Sequence, residues 1–298
     1  MSHKKVKLSA DDRVFYTVVN IIITIVLVIM LWPLIFVVSS SLSAKEAVLA
    51  GRVFLLPVDF SLEGYLAVFK TNEVLIGYRN TLFYTFVGTA INVFLTLIAA
   101  YPLSRQDLPN RRLISFIFTF TMLFSGGMIP TYIIVSKLGL LNTPFALLLP
   151  GALSVYNLII TRSFIETSIP KEVYEAATID GCNDIRYFTK ILVPLSGSVI
   201  AVITLYYAVA HWNSYFNAFL YITDSNLYPL QLVLRNILMA NQIDSAMMTD
   251  FDTMTSKQGL ADLMKYSLIV VSTLPVLIMY PFVQKHFIKG VMIGAVKG

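Results

Sequence analysis

The chain has 298 residues, 57% hydrophobic and 13% charged, with a formal net charge of +5 and a mean hydropathy of +0.74. A soluble domain carries about 25% charged residues, so the composition excludes an ordinary water-soluble fold and points to an integral membrane protein built as one helical bundle. The basic balance is not a nucleic-acid signal, because the charges cluster at the ends of apolar runs, where topology is encoded, and the lone Cys182 excludes an intrachain disulfide framework.

The expected fold class is all-α, with six transmembrane helices of roughly 20 residues each. A polar segment, 1–13, precedes them. The first apolar run is Val14–Val38. Small residues, Ser41-Leu-Ser-Ala44, follow it, but the run is longer than the core of a signal peptide, so it is read as an uncleaved span. The second and third runs are Asn80–Leu103 and Leu113–Val135, the latter holding Ser125-Gly126-Gly127 and Pro130. The fourth, Phe145–Thr161, is the shortest and carries Pro150-Gly151. The fifth is Ser196–Tyr221 and the sixth Tyr266–Gln284, with Pro275 and Pro281. Such breaks persist in a bilayer only where protein or a water-filled cavity satisfies the freed backbone. Irregular packing and a pathway lining are both compatible with them. The transmembrane domain is thus set at 14–284, followed by a tail, 285–298.

Charge sets the orientation. With the N-terminus cytoplasmic, the inner segments hold fourteen cations and eight acids, and the outer segments the remaining eight cations and nine acids. The positive-inside rule favours this arrangement. Both termini and the stretch 163–195 are then cytoplasmic, and two long outer loops span about 39–79 and 222–265, the second with a helical segment around Tyr228–Met239. The apolar cores contain no Asp, Glu, Lys or Arg, with His211 the one ionisable residue at depth. That argues against a proton relay. No G-x-x-x-x-G-K-[ST], H-E-x-x-H or G-x-S-x-G occurs, so the chain has no phosphate loop of that kind and neither hydrolase signature.

The stretch 163–195 is more elaborate than a turn requires. Ser168-Ile-Pro170 suits a helix start. Lys171 and Glu175 are four apart, and Asp180-Gly181 supplies a stop. A helix over about 170–179 is too short to stand alone in water. Val173, Ala176 and Ala177 give it a narrow strip for close approach, and Asp184–Leu192 continues as a second helix toward Pro194. Periodicity leaves two readings open: a docking element, or an amphipathic loop on the lipid headgroups.

The motif Tyr174-Glu175-Ala176-Ala177-x-x-Asp180-Gly181, with Ile191-x-x-Pro194, resembles the EAA loop of ABC importer permeases. Gly126-Gly-Met-Ile-Pro-Thr-Tyr132, Leu138-Gly-Leu-Leu-Asn-Thr143, Trp212-Asn-Ser-Tyr-Phe-Asn217, Tyr228-Pro-Leu-Gln-Leu-Val-Leu-Arg235 and Phe287-Ile-Lys-Gly290 are similar to the carbohydrate-uptake branch. Val193 and Gly197 depart from the usual Leu and Pro. The resemblance implies a cytoplasmic coupling helix between spans four and five, seated in a cleft of an ATPase subunit with Glu175 facing a basic residue, and a tail, Lys289–Gly298, reaching toward the ATPase dimer. It implies a bacterial cell-membrane permease that is not itself an enzyme and holds no cofactor, ATP and magnesium lying on the partner. Its partners would be two ATPase subunits, a second and different permease, an extracellular sugar-binding protein and the lipid bilayer. Nucleic acid is not among them. Polyamine or phosphate import, and a membrane subunit without flux, are the competing readings.

Aromatic faces stack on sugar C–H surfaces and amides bond hydroxyls. Tyr156, Asn157, His211, Trp212, Asn213, Tyr215, Phe216 and Asn217 are therefore candidate pathway residues. The same asparagines would equally serve as interhelical hydrogen-bonding glue.

Overall fold

A computed structural model describes residues 9–247, 259–279 and 281. The described residues are helical, with one isolated bridge, Ser43 to Phe60, and no strand among them. The chain divides into two compact units, one of Met1–Lys70 with Ile237–Val271 and one of Thr71–Asn236 with Ser272–Gly298.

The first unit holds α1 (Ala10–Ser41), α2 (Lys45–Leu49) and α3 (Glu63–Lys70). Ser9 and Asp12 close a capping box at the start of α1. The apolar flank of α1 is exposed along its length, as suits a helix whose solvent is lipid or another chain. Its end is different. Ser39, Ser40, Ser41 and Ser43 are all buried. Ser39 Oγ donates to the Leu55 carbonyl at 2.7 Å, Ser43 Oγ accepts from the Val58 amide at 3.0 Å, and Ser41 Oγ lies 2.8 Å from Tyr65 Oη. The small residues after the first span thus form a packed junction that fixes the loop returning to α3. Gly64 lets α3 pack directly on Leu263 and Ser267.

The second unit is built on α4 (Asn72–Ser104), a 33-residue helix. It starts eight residues before the expected second span, because Asn72–Arg79 is too polar to register in hydropathy yet continues the helix. Thr81, Thr85, Gly88, Thr89, Asn92 and Thr96 are buried along it at three- and four-residue spacing, a small, polar face for close helix packing. Then follow α5 (Arg111–Leu123), α6 (Met128–Lys137), α7 (Phe145–Leu148), α8 (Val155–Ser168), α9 (Lys171–Ile179), α10 (Asp184–Tyr187), a π turn (Phe188–Leu192), α11 (Val193–Leu195), α12 (Gly197–Trp212) and α13 (Phe216–Tyr221). A short 3₁₀ turn, Ser225–Leu227, leads to α14 (Leu230–Met247), and α15 is Gly259–Met279.

The expected breaks in the third and fourth runs are present and sharper than the sequence suggests, whereas α15 continues through Pro275 without interruption. The third apolar run is two helices, α5 and α6, bent by 111° at the Ser-Gly-Gly segment, where Gly127 sits at φ +86°. The fourth is not one helix either. Pro150-Gly151 separates α7 from α8, and α8 runs on to Ser168, seven residues past the expected end. The fifth is interrupted at residues 213–215, between α12 and α13. Among the described residues, three helices are long and apolar enough to cross a membrane, or five if each bent pair is one span. The sixth expected span begins seven residues earlier, at Gly259, and its end lies outside the described residues, as do the tail and Asp250 and Asp252 of the outer loop.

Close approach at Gly88 is a specific demand. A Cβ there would overlap the His211 imidazole, whereas one at Gly197 would meet open space. Gly88→Val is expected to lower the thermal unfolding midpoint of the detergent-solubilised protein by the equivalent of about 1–3 kcal/mol, while Gly197→Ala leaves it unchanged.

Candidate functional site

The segment from α9 to α11 has one packed and one bare face. The helix begins at Lys171 with Pro170 as its cap, and no side chain caps it. Ser168 ends α8 instead of starting α9, because the extended backbone at Ile169 and Pro170 falls between them. The stop lies at Gly181, where φ is +74°. The Gly181 amide donates to the Thr178 carbonyl at 3.0 Å and that of Cys182 to the Ala177 carbonyl at 2.9 Å, a Schellman closure that needs a left-handed residue.

Val173 and Ala177 turn inward with Tyr174 and join an apolar cluster with Ala100, Leu103 and Tyr187. The strip Val173, Ala176 and Ala177 is therefore divided, since residues four apart share a face and 176 falls outside it. Glu175, Ala176 and Asp180 are exposed, and Ile179 is exposed at 87% and Ile185 at 76%. Lys171 and Glu175 make no ion pair with each other among the described residues. Ile191 packs on the same cluster, beside Leu192. Pro194 lacks the amide that would bond four residues back; the preceding turn is π, and the axis swings by 81° at Ser196 before α12.

Arg105, at the end of α4, binds this segment. Its Nε and Nη2 donate to the two Asp107 oxygens at 2.8 and 2.5 Å. Its Nη1 donates to Asp184 Oδ1 at 2.5 Å and to Tyr101 Oη at 3.1 Å. Its Cζ lies 4.0 Å from the centre of the Tyr174 ring. The hydroxyls of Tyr101 and Tyr174 donate to the same Asp184 oxygen at 2.9 and 3.2 Å. Hydrogen bonding to Arg105 holds the Asp107 carboxyl below the usual carboxylate range. A neighbouring ion group joins Glu166 to both Arg111 and Arg162. A cleft of about 460 Å³ lies beside these residues, lined among others by Tyr101, Arg105, Glu166, Tyr174 and Glu175.

A second cavity, of about 410 Å³, opens between α4, α8, α12 and α13. Asn92, Tyr156, Asn157, Tyr206, His211 and Asn217 contribute to its wall. Asn92 Nδ2 donates to the Gly151 carbonyl at 3.1 Å. Its oxygen therefore faces His211 Nε2, 3.3 Å away, which must carry the proton in that contact. Thr96 donates its hydroxyl to the Asn92 carbonyl at 2.7 Å, so Tyr207 Oη donates to Thr96 Oγ1 at 2.7 Å while accepting from the Ser154 amide at 3.1 Å. The tyrosines 156 and 206 approach with ring centres 6.4 Å apart.

The structure thus brings Tyr156, Asn157, His211 and Asn217 to one cavity. Trp212 lies elsewhere: it is 2% exposed, its indole N–H donates to the Ser272 carbonyl at 2.8 Å, and its ring meets Tyr78 edge to face, which is a core role. The Asn213 amide donates to the Val209 carbonyl at 2.9 Å and closes the end of α12. Tyr215 and Phe216 are exposed and meet edge to face. Sequence reading missed Asn92, Tyr206, Tyr207 and Gly88. The polar, small-residue spacing along α4 was the available signal for two of them.

A family model described as the inner-membrane component of binding-protein-dependent transport systems matches residues 82–293. Two Bacillus subtilis proteins are similar. One is named a polygalacturonan/rhamnogalacturonan transport system permease protein, with 45% identity over 89% of this chain and 92% of its own. The other is the protein LplC, also 45% identical over 89% of each. A crystal structure of a bacterial ABC transporter involved in import of the acidic polysaccharide alginate matches with a TM-score of 0.86 and 34% identity, over 95% of this chain and all of the other.

The Asp107 shift has a definite sign. A carboxylate held low contributes stability above its unfolded value, and that contribution is lost as pH falls through its lowered folded value. The carboxyl-carbon resonance of Asp107 is expected to titrate below the usual aspartate range and to return to that range in Arg105→Ala.

Proposed function

This chain belongs to the family of inner-membrane components of binding-protein-dependent transport systems, and from that premise we propose that it is one of two unlike permeases in an ATP-driven importer of oligosaccharides. It is a transport subunit of the bacterial cell membrane and not itself a catalyst. Six spans are read from α1, α4, the α5–α6 pair, α7 with α8, α12 with α13, and α15. The charge distribution favours cytoplasmic termini and a cytoplasmic α9.

Energy enters through α9. Two ATPase subunits hold ATP and magnesium, and each closes on the coupling helix of one permease. The observation that carries this mechanism is the bare outer face of α9, where Glu175 and Ile179 stand exposed on a helix whose other face is packed. An apolar contact beside a carboxylate suits a cleft with a basic group at its rim. Gly181 lets the chain reverse immediately behind that face.

Closure swings the spans between inward- and outward-facing states. A binding protein delivers sugar at the outer loops, near α14. The cavity then passes it along Asn157 and Asn217, whose amides bond hydroxyls, and along Tyr156 and Tyr206, whose rings stack on sugar faces. The named cargo of the similar proteins, polygalacturonan and rhamnogalacturonan in one case and alginate in the other, favours a saccharide over a polyamine or phosphate.

In the whole transporter, Glu175→Arg is expected to abolish sugar-stimulated ATP hydrolysis and uptake while membrane insertion is kept. Normal uptake in that variant would remove the coupling role from α9.

A further inference from the structure

The apolar cluster under α9 holds it without direction. Hydrophobic contact is proportional to area and indifferent to register, so Ala177 and Tyr187 could slide over Ala100 and Leu103. Transmission of a push needs a contact that fixes position. Among the described residues the guanidinium of Arg105 makes one. It is directional, multiply bonded and planar, and an arginine fork is suited to such bonding where a lysine is not.

We infer that Arg105 is the positioning residue that joins the coupling segment to α4, so that motion of α9 and α10 is delivered to the cavity wall. This rests on the importer reading. Besides Asp107, two residues along in its own loop, the guanidinium reaches two separate stretches of chain: α10 through Asp184 and α9 through the ring of Tyr174. Asp184 is itself held by two more donors, from Tyr101 on α4 and Tyr174 on α9. The carboxylate and the guanidinium therefore close a ring of contacts around the joint.

The far side of the linkage is α4 itself. The helix is unbroken from Asn72 to Ser104, with its one proline, Pro102, confined to the last turn. Arg105 lies thirteen residues beyond Asn92 in this chain, about 20 Å at helical rise. Asn92 is the residue that bonds both Gly151, at the break before α8, and His211 on α12. A shift imposed at Arg105 thus reaches both interrupted spans through one rod. Further along, α4 also binds the outer turn, since Asn80 Nδ2 donates to the carbonyls of Asn226 and Tyr228, and Tyr84 Oη to that of Leu227. The same helix grips the coupling segment, the cavity and the outer turn.

The test measures sugar moved and ATP hydrolysed together in proteoliposomes containing the complete transporter and its binding protein. Arg105→Ala is expected to raise the ATP consumed per sugar moved about tenfold, within the usual range of coupling between sites. Asp184→Asn should raise it in the same direction, and Arg105→Lys should fall between Arg105→Ala and the parent because it keeps charge but not the fork. An unchanged ratio in Arg105→Ala overturns the inference, even if both rates fall in parallel. If Arg105→Ala does not assemble, Asp184→Asn decides, and an unchanged ratio there overturns it equally. Absence of sugar-stimulated hydrolysis in the parent transporter would instead overturn the importer reading on which the inference rests.

Discussion

A broken helix in a bilayer must find partners for the backbone groups it frees, and the side-chain amide of Asn92 meets that demand at the centre of this chain. It donates to the carbonyl of Gly151, the residue at which the fourth apolar segment is interrupted. In hydrocarbon an unsatisfied carbonyl costs several kcal/mol. The Pro150-Gly151 break therefore depends on α4 presenting an amide at this level. Thr96 and Tyr207 extend the same solution to the Ser154 amide. The cavity exists because the interruption is supported in this way. Without the break α7 and α8 would run on as one rod, with no wall at which His211 and Asn217 could meet Asn157.

The same constraint explains why polar residues on α4 are buried yet uncharged. Asn80, Thr81, Asn92 and Thr96 satisfy neighbours without the cost of a buried ion. Charge is kept for the far end, where Arg105 and Asp184 meet outside the helical span. The chain thereby separates two tasks. Neutral hydrogen bonds shape the cavity, and ionic contacts grip α9 and α10, the segment proposed to receive force. Both sit on one uninterrupted helix, which is the simplest way to let one act on the other.

Much of this was legible in the residues. Hydropathy located the apolar segments, and Asp180-Gly181 marked the end of α9 where the left-handed backbone is found. The glycine- and proline-bearing positions foretold the breaks in the third and fourth runs, but Pro275 marks none, because α15 continues through it. The interruption at residues 213–215 has neither residue. It follows from Asn213 bonding back to Val209 and from the chain turning at Ser214, which depend on tertiary context. Trp212 and Asn217 looked alike as pathway residues, because sequence spacing on a bent segment does not say which side chain faces the core. Asn92 was overlooked for a related reason: one amide in a long apolar run carries meaning only when the carbonyl it meets, from a residue 59 positions away, is known. Arg105 stands in the sequence as one cation at the end of an apolar run with Asp107 beside it, and Asp184, 79 positions away, is brought to it only by the fold.

The central claim is that the bare face of α9 is covered by an ATPase subunit. Site-directed thiol chemistry addresses it directly. A cysteine introduced by Ile179→Cys, with Cys182→Ser to remove the lone native thiol, can be probed in membranes carrying the assembled transporter. The account predicts a crosslink to the ATPase subunit, and protection from a water-soluble maleimide that is lost when that subunit is stripped away. Equal labelling with and without the ATPase, and no crosslinked product, would contradict it.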